Sequence, residues 1–334
     1  MTKLIIQIPC LNEESTLPAT VRDLPTQIPG IDAIETLVID DGSLDGTSDV
    51  ARQCGVDHVV RFPANKGLAA AFMAGLDAAL KHGADIIVNT DADNQYVGRD
   101  ISKLVQPILR READIVIGDR NVRTLRTMPL VKRWLQLLGS WVVRQVSNTR
   151  IPDTTSGFRA YSREAAMRQT IVSDFSYTLE SIIQAGKKRI AITHVAVATN
   201  ENTRESRLFD SVFTYLKKSA ATIVRIYAMY EPLKVFTLVG SVGFSAGLLV
   251  SLRFLYLYWQ GQGQGNVQSL ILSAVLMIVG FQIILIGLVA DVISSNRKLT
   301  EELLYRVRSM ELQRSPDSDG QRQPVDEPVQ IVNN

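Results

Sequence analysis

The chain is poor in the groups that most often advertise chemistry. It has two cysteines, Cys10 and Cys54, and three histidines among 334 residues. Both cysteines read as free thiols, and no motif marks either as a nucleophile. None of the histidines falls in a polar motif, and His194, on an expected strand, reads as structural. There is no Gly-x-x-x-x-Gly-Lys-Ser/Thr loop and no Gly-x-Gly-x-x-Gly after the first apolar run, so a phosphate-loop or dinucleotide site is not indicated. The formal charge of +2 says nothing about partners, and no nucleic-acid partner is expected. At the amino terminus the apolar run before Pro9 is too short for a secretory signal.

What is present divides the chain in two. Leu233 to Trp259 and Val267 to Ala290 are almost wholly apolar or small, each longer than the roughly 20 residues that cross a bilayer as a helix. Arg253, near the far end of the first run, can reach the headgroups along its own stem. The segment between the runs, residues 260–266, carries no charge. Lys217, Lys218, Arg225 and Lys234 precede the pair, and Arg297, Lys298, Arg306 and Arg308 follow it. This asymmetry predicts a multi-pass protein of the cell (plasma or inner) membrane with both termini and the first domain in the cytoplasm.

Before the spans, apolar runs alternate with helical spacing. Strands are expected at Lys3 to Ile8, Ile34 to Ile39, His58 to Phe62, Asp85 to Val88, Asp114 to Gly118 and His194 to Ala198. Helices are expected after each of the first four and over Ser173 to Gln184. Such alternation predicts an α/β fold whose mainly parallel sheet is covered by helices on both faces and binds its ligand beyond the carboxyl ends of the strands. Glu13, Asp40, Asp91, Asp93 and Arg120 all fall there.

The central strand ends in Asp91-Ala92-Asp93-Asn94-Gln95. If the backbone stays extended, Asp91, Asp93 and Gln95 face one point, and oxygen donors of this kind suit Mg2+ or Mn2+. A polar turn capping the next helix is the alternative. The basic stretch from Arg120 through Arg133 to Arg150 reads either as a solvated helix or as an anion site beside that cation. The loop Asp153 to Arg159 says only turn. Residues 209–232 have an apolar face and a basic one, as an interfacial helix does. Residues 291–312 form a charged helix, and residues 313–334, rich in Pro, Gln, Asp and Ser, are expected to be disordered.

Pro9-Cys10-Leu11-Asn12-Glu13, Asp40-Asp41-Gly42-Ser43, Asp91-Ala92-Asp93-Asn94-Gln95 and Thr155-Ser156-Gly157-Phe158-Arg159, in that order, resemble the family 2 glycosyltransferases. The resemblance is to the branch of dolichol-phosphate mannose synthases and polyisoprenyl-phosphate glucosyltransferases, over residues 1–208 and again in the paired spans. It implies a GT-A (Rossmann-like) fold and inverting transfer of a sugar from a UDP- or GDP-hexose to polyprenyl phosphate. Pro9, Leu11, Glu13, Val38 and Asp40 would hold the nucleoside. Asp91, Asp93 and Gln95 would hold the metal that bridges the donor diphosphate. Arg120 and Arg133 would meet donor and acceptor phosphates, and Arg204 and Arg207 correspond to a basic pair on a mobile loop. Asp91, Asp93 and Arg120 are the implied catalytic groups, and the bilayer is a partner, with a homo-oligomer through the membrane helices left open. A processive polysaccharide synthase would carry Gln-x-x-Arg-Trp, but the Gln is absent before Arg133-Trp134. A catalytically silent membrane scaffold is the remaining alternative.

Overall fold

Seven consecutive buried residues, Leu4 to Cys10, make the strand β1 (Lys3–Cys10), and a strand with no exposed face must be covered on both sides. In the computed structural model, which describes residues 1–120, 140, 141, 143, 144, 147–171, 177–200, 230–261 and 267–314, β1 lies inside a seven-stranded sheet. The first half is a run of strand and helix: α1 (Leu17–Asp23), β2 (Ala33–Asp40), α2 (Thr47–Gln53), β3 (His58–Arg61), α3 (Leu68–Lys81), β4 (Ile86–Asn89), α4 (Ile101–Leu109) and β5 (Ile115–Asp119). Then follow β6 (Arg159–Ser162), α5 (Arg163–Met167), α6 (Tyr177–Lys187), β7 (Ile192–Ala196), α7 (Pro232–Trp259) and α8 (Val267–Arg314).

The strand order is β3-β2-β1-β4-β6-β5-β7. All neighbours are parallel except β6, which runs antiparallel between β4 and β5. Residues 153–158 are the turn the sequence indicates, and what the sequence did not mark is the strand that begins at Arg159. The stretch leads into a strand whose Arg159, Ala160 and Tyr161 are buried, and that strand bridges the two parallel halves. Successive residues of β1 serve opposite layers, as a pleated strand requires. Ile5 packs with Phe72 and Leu76 of α3 on one face, while Leu4 and Ile6 pack with Leu104 and Val105 of α4 on the other.

The two apolar runs pair as an antiparallel helical hairpin, α7 against α8, long enough and apolar enough to cross a membrane. The second run and the charged segment after it are one continuous helix of 48 residues, about 70 Å long at 1.5 Å per residue. Its far end lies back on the α/β domain. Arg297 donates to Glu180 Oε1 at 3.3 Å and to the Tyr230 hydroxyl at 3.1 Å, Lys188 pairs with Glu301 at 3.0 Å, and Arg308 donates to the carbonyl of Gln169 at 2.7 Å. Arg133, Arg204, Arg207, most of the expected interfacial helix and residues 315–334 lie outside the described residues.

Candidate active site

Because β1, β2 and β4 are parallel and in register, with Cys10 beside Asp40 and Gln7 beside Asn89, the loops that leave their carboxyl ends converge on one edge. The loop after β1 turns at Asn12, which adopts φ 55°, a left-handed conformation that asparagine tolerates. It is tied to the loop after β2. The Asn12 amide donates to Ser43 Oγ at 2.9 Å, Leu44 N donates to Asn12 Oδ1 at 2.9 Å, and Glu13 N donates to Thr47 Oγ1 at 3.0 Å. Gly42, at φ 73°, is required twice over, since a Cβ there would lie 2.5 Å from the backbone carbon of Ala64.

The five residues expected at the nucleoside are thus brought together, but not equally presented. Leu11 is 38% exposed and Glu13 is half-buried, its carboxylate accepting from the Thr16 hydroxyl at 2.5 Å. Pro9 is buried within β1, and Val38 is fully buried against Ile8, Leu17 and Ala51. Asp40 is fully buried as well. Its oxygens accept from Ser43 N at 2.8 Å and from the Ser48 hydroxyl, with Arg61 Nε 3.6 Å away. The side chains of Val38 and Asp40 therefore have no surface for a nucleoside, because packing and the turn itself consume them. Asp41 is also a loop clamp, accepting from Lys66 N at 2.7 Å and Gly67 N at 2.9 Å.

At the carboxylate pair the expected extended row does not form. β4 ends at Asn89, and the chain turns over Ala92 and Asp93, with Asn94 at φ 54° and Gln95 N donating to Asp93 Oδ1 at 3.1 Å. The carbonyl of Ala92, accepting from Thr20 Oγ1 at 2.9 Å, holds this turn down. Asp93 is exposed, whereas Asp91 is tucked in. Burial, and then the Asp93 carboxylate, push the Asp91 carboxyl up to about 7 against the opposing charges of Arg120 and Arg159. Gly157 makes the room: a Cβ there would stand 2.8 and 2.9 Å from the two Asp91 oxygens. Two carboxylates on one turn, with Asp91 feeling the charge of Asp93, are the donor set a hard divalent cation suits, so the residues fit such an ion. Among the described residues no cluster of three or more His, Cys, Asp or Glu forms a metal cage. A cation here would rest on these two carboxylates and on its ligand.

Arg120 stands beside them, though not as a free cation. Its Nε and Nη2 reach the two oxygens of buried Asp153 at 2.7 and 3.1 Å, Nη2 also donates to Thr155 Oγ1 at 2.9 Å, and Nη1 points to Gln95 Oε1 at 3.5 Å. Burial drives the Asp153 carboxyl up, but the adjoining guanidinium outweighs it and holds the group below its ordinary value.

Sequence reasoning missed the polar layer beneath. Asn89 is fully buried; it accepts from Gln7 Nε2 at 2.8 Å and donates to the carbonyl of Gly157 at 2.8 Å and to the Tyr177 hydroxyl at 3.0 Å. Arg159, also fully buried, donates to the carbonyls of Ser156, Thr178 and Thr154 at 2.7, 2.8 and 3.0 Å and to Ser181 Oγ at 2.6 Å. Both hold the 153–158 loop against the carboxylates. The available signal was Asn89 itself, a polar residue closing a β-branched strand, whose amide must find partners once buried.

With this geometry in view, comparison with known proteins agrees. Residues 5–169 match glycosyl transferase family 2, and residues 231–295 match the GtrB C-terminal hairpin. The UDP-N-acetylglucosamine–dolichyl-phosphate N-acetylglucosaminyltransferase of Methanococcus voltae is 30% identical over 213 residues, 58% of this chain and 83% of that protein. The polyprenol monophosphomannose synthase of Mycolicibacterium smegmatis is 32% identical over 169 residues, 48% of this chain and 62% of that one. Among solved structures, glucosyl-3-phosphoglycerate synthase of Mycobacterium tuberculosis, crystallised with Mn2+, uridine diphosphate and phosphoglyceric acid, superposes with a TM-score of 0.53. That match covers 68% of this chain and 78% of that one at 22% identity, and shows the shared GT-A-like fold. The sheet, the carboxylate loop on its edge, the helical hairpin and these matches lead to one assignment: the chain belongs to glycosyl transferase family 2.

Proposed function

We propose that the protein transfers a sugar from a nucleotide sugar to polyprenyl phosphate at the cytoplasmic face of a membrane, with a divalent cation on Asp91 and Asp93. The observation that carries this reading is the carboxylate loop, backed by Gly157, on a domain to which a membrane-crossing hairpin is docked through Arg297 and Glu301. The two relatives named above act on dolichyl or polyprenol phosphates, which supports the acceptor class. The uncharged segment between the spans and the basic residues on either side of them support a multi-pass arrangement with both termini cytoplasmic.

In this reading the nucleoside lies over Leu11 and Glu13 and the donor diphosphate lies at the Asp91-Asp93 turn. Mg2+ or Mn2+ bound there would neutralise charge building on the departing diphosphate. Arg120, fixed by Asp153, adds positive charge beside the same point without having to reorganise. An acceptor phosphate is already an anion at neutral pH, so its oxygen attacks the anomeric carbon without a strong base as the bond to the diphosphate breaks on the opposite face. Arg133, Arg204 and Arg207 would serve the phosphates. The test is a panel of UDP- and GDP-sugars supplied to the full chain in lipid nanodiscs with undecaprenyl phosphate. The expected result is a sugar-charged lipid with one donor, lost in excess chelator. Absence of any lipid product, or full rate in chelator, overturns the acceptor or the metal respectively.

A further inference from the structure

Helix α6 is buried all the way from Tyr177 to Ala185, yet that stretch includes Thr178, Glu180, Ser181 and Gln184. Polar side chains in a helix covered on every side need specific partners, and here the partners lie in two places. At the first turn they belong to the carboxylate site. The Tyr177 hydroxyl accepts from Asn89 Nδ2 at 3.0 Å, and Arg159 Nη1 donates to the carbonyl of Thr178 at 2.8 Å and to Ser181 Oγ at 2.6 Å. From Glu180 onward they belong to the membrane hairpin. Glu180 Oε1 lies 3.3 Å from Arg297 Nη2 of α8, and at the end of the helix Lys187 pairs with Glu231, the residue that precedes α7. Glu180 follows Tyr177 by three residues, so the two contacts sit one above the other on the same helix face.

We propose, resting on the function given above for the nature of the ligand, that Glu180 and Tyr177 are positioning residues: docking of α8 sets α6, and α6 sets the loop that seats Asp91. The near end of this path is tight. A Cβ on Gly157 would stand 3.0 Å from the Tyr177 hydroxyl and 2.8 and 2.9 Å from the Asp91 oxygens, so the phenol and the carboxylate close on one point. The Asn89 amide that reaches Tyr177 also holds the Gly157 carbonyl at 2.8 Å, and the Arg159 guanidinium that reaches α6 also holds the carbonyls of Thr154 and Ser156 at 3.0 and 2.7 Å. The far end carries the energy. A fully buried, ionised Glu180 without Arg297 is costly, so α6 must move to let water reach it. A helix moves as a unit, and one turn away the Tyr177 hydroxyl and the groups Arg159 donates to move with it. The seat of Asp91 is therefore complete only when the hairpin is docked.

The test uses the full chain in lipid nanodiscs. In metal-free protein, Arg297→Met should quicken hydrogen exchange several-fold at the amides of Thr155, Gly157 and Phe158, which are held by Asp153, Tyr96 and Ser156. Arg308→Met frees α8 only from the carbonyls of Met167 and Gln169 and should leave those amides at the wild-type rate. The Kd for Mn2+, read by electron paramagnetic resonance, should rise on the order of tenfold in Arg297→Met and in Tyr177→Phe and stay unchanged in Arg308→Met. Tyr177→Phe keeps the ring stacked on Phe72 at 4.1 Å, so it tests the same path in a variant that retains its packing. In the double variant the Kd should rise by less than the product of the two single effects, because both act on one loop. Unchanged exchange at residues 155–158 in Arg297→Met, equal effects of Arg297→Met and Arg308→Met, or fully multiplicative effects in the double variant overturn the proposal. A wild type that binds no Mn2+ and transfers no sugar overturns the function instead, and exchange at residues 155–158 then decides the positioning role alone.

Discussion

At the scale of single residues, chemistry and support are carried by different side chains. Asp93 is exposed at the turn and free of packing duty, so Asp93→Asn should leave the melting point unchanged while reducing transfer by on the order of 100-fold or more, the usual cost of removing a group that stabilises developing charge. Mn2+ binding followed by electron paramagnetic resonance should weaken in parallel, and unchanged binding would remove Asp93 from the metal. Cys10 illustrates the opposite case. Burial, and then the carboxylates of Glu13, Asp40 and Asp45, push its thiol far above the ordinary value, so it should resist iodoacetamide at pH 8 while half-buried Cys54 reacts. Equal modification of both would contradict that packing. A third expectation concerns pH. Burial first, and then the neighbouring His58 ring stacked at 3.7 Å, lower the pKa of His82, whose surroundings also include Glu35 and Lys3. The folded state thus favours neutral His82. That contribution is fully present above about 6.5, the unfolded value, and is lost as pH falls through the lower folded value. Urea midpoints of His82→Gln should therefore depend less on pH below 6.5 than those of the wild type.

At the scale of elements, glycine decides how closely helices and loops approach. A Cβ at Gly280 would lie 2.5 Å from the amide nitrogen of Phe244, and one at Gly240 would lie 2.6 Å from the carbonyl oxygen of Gly280. The two spans therefore touch backbone to backbone, and Ser273 Oγ donates to the carbonyl of Gly247 at 2.8 Å to fix their register. Gly280→Leu should separate them at a cost of about 1–3 kcal/mol, the usual penalty of overpacking, seen as a lower unfolding temperature in nanodiscs. Preserved stability would mean that the hairpin packs elsewhere.

At the scale of the whole molecule, the hairpin is more than an anchor, because its second helix grips the catalytic domain. Glu180 is fully buried and meets Arg297, which is itself shared with Glu301 and Tyr230. Removing Arg297 takes away the opposite charge it holds against the buried Glu180 carboxylate. Arg297→Met should thus destabilise the docked state by about 3–5 kcal/mol, and hydrogen exchange should quicken in α6 and along residues 297–312 while the β1 and β4 amides stay protected. Uniform quickening throughout would indicate one cooperative unit instead. A rigid link of this kind would keep the carboxylate edge at a set height above the bilayer, where a lipid-borne phosphate has to arrive.

Sequence alone determined those features that depend on local order and composition. Strand and helix alternate because apolar runs of four to eight residues alternate with helical spacing. The spans are legible because nothing but a bilayer or a large core tolerates such runs, and the acidic edge is legible because motif order and strand ends coincide. Tertiary structure decided the rest, because each missed feature depends on how the chain closes around a residue, in most cases with a partner far away in sequence. β6 is a strand only because β4 and β5 lie on either side of it. Asp40 turns inward because Ser43 and Ser48 close around it. Gly157 matters only because Asp91, 66 positions earlier, occupies the space its side chain would have filled. Arg120, which reads as a free cation in the sequence, is claimed by Asp153 once the sheet brings their loops together.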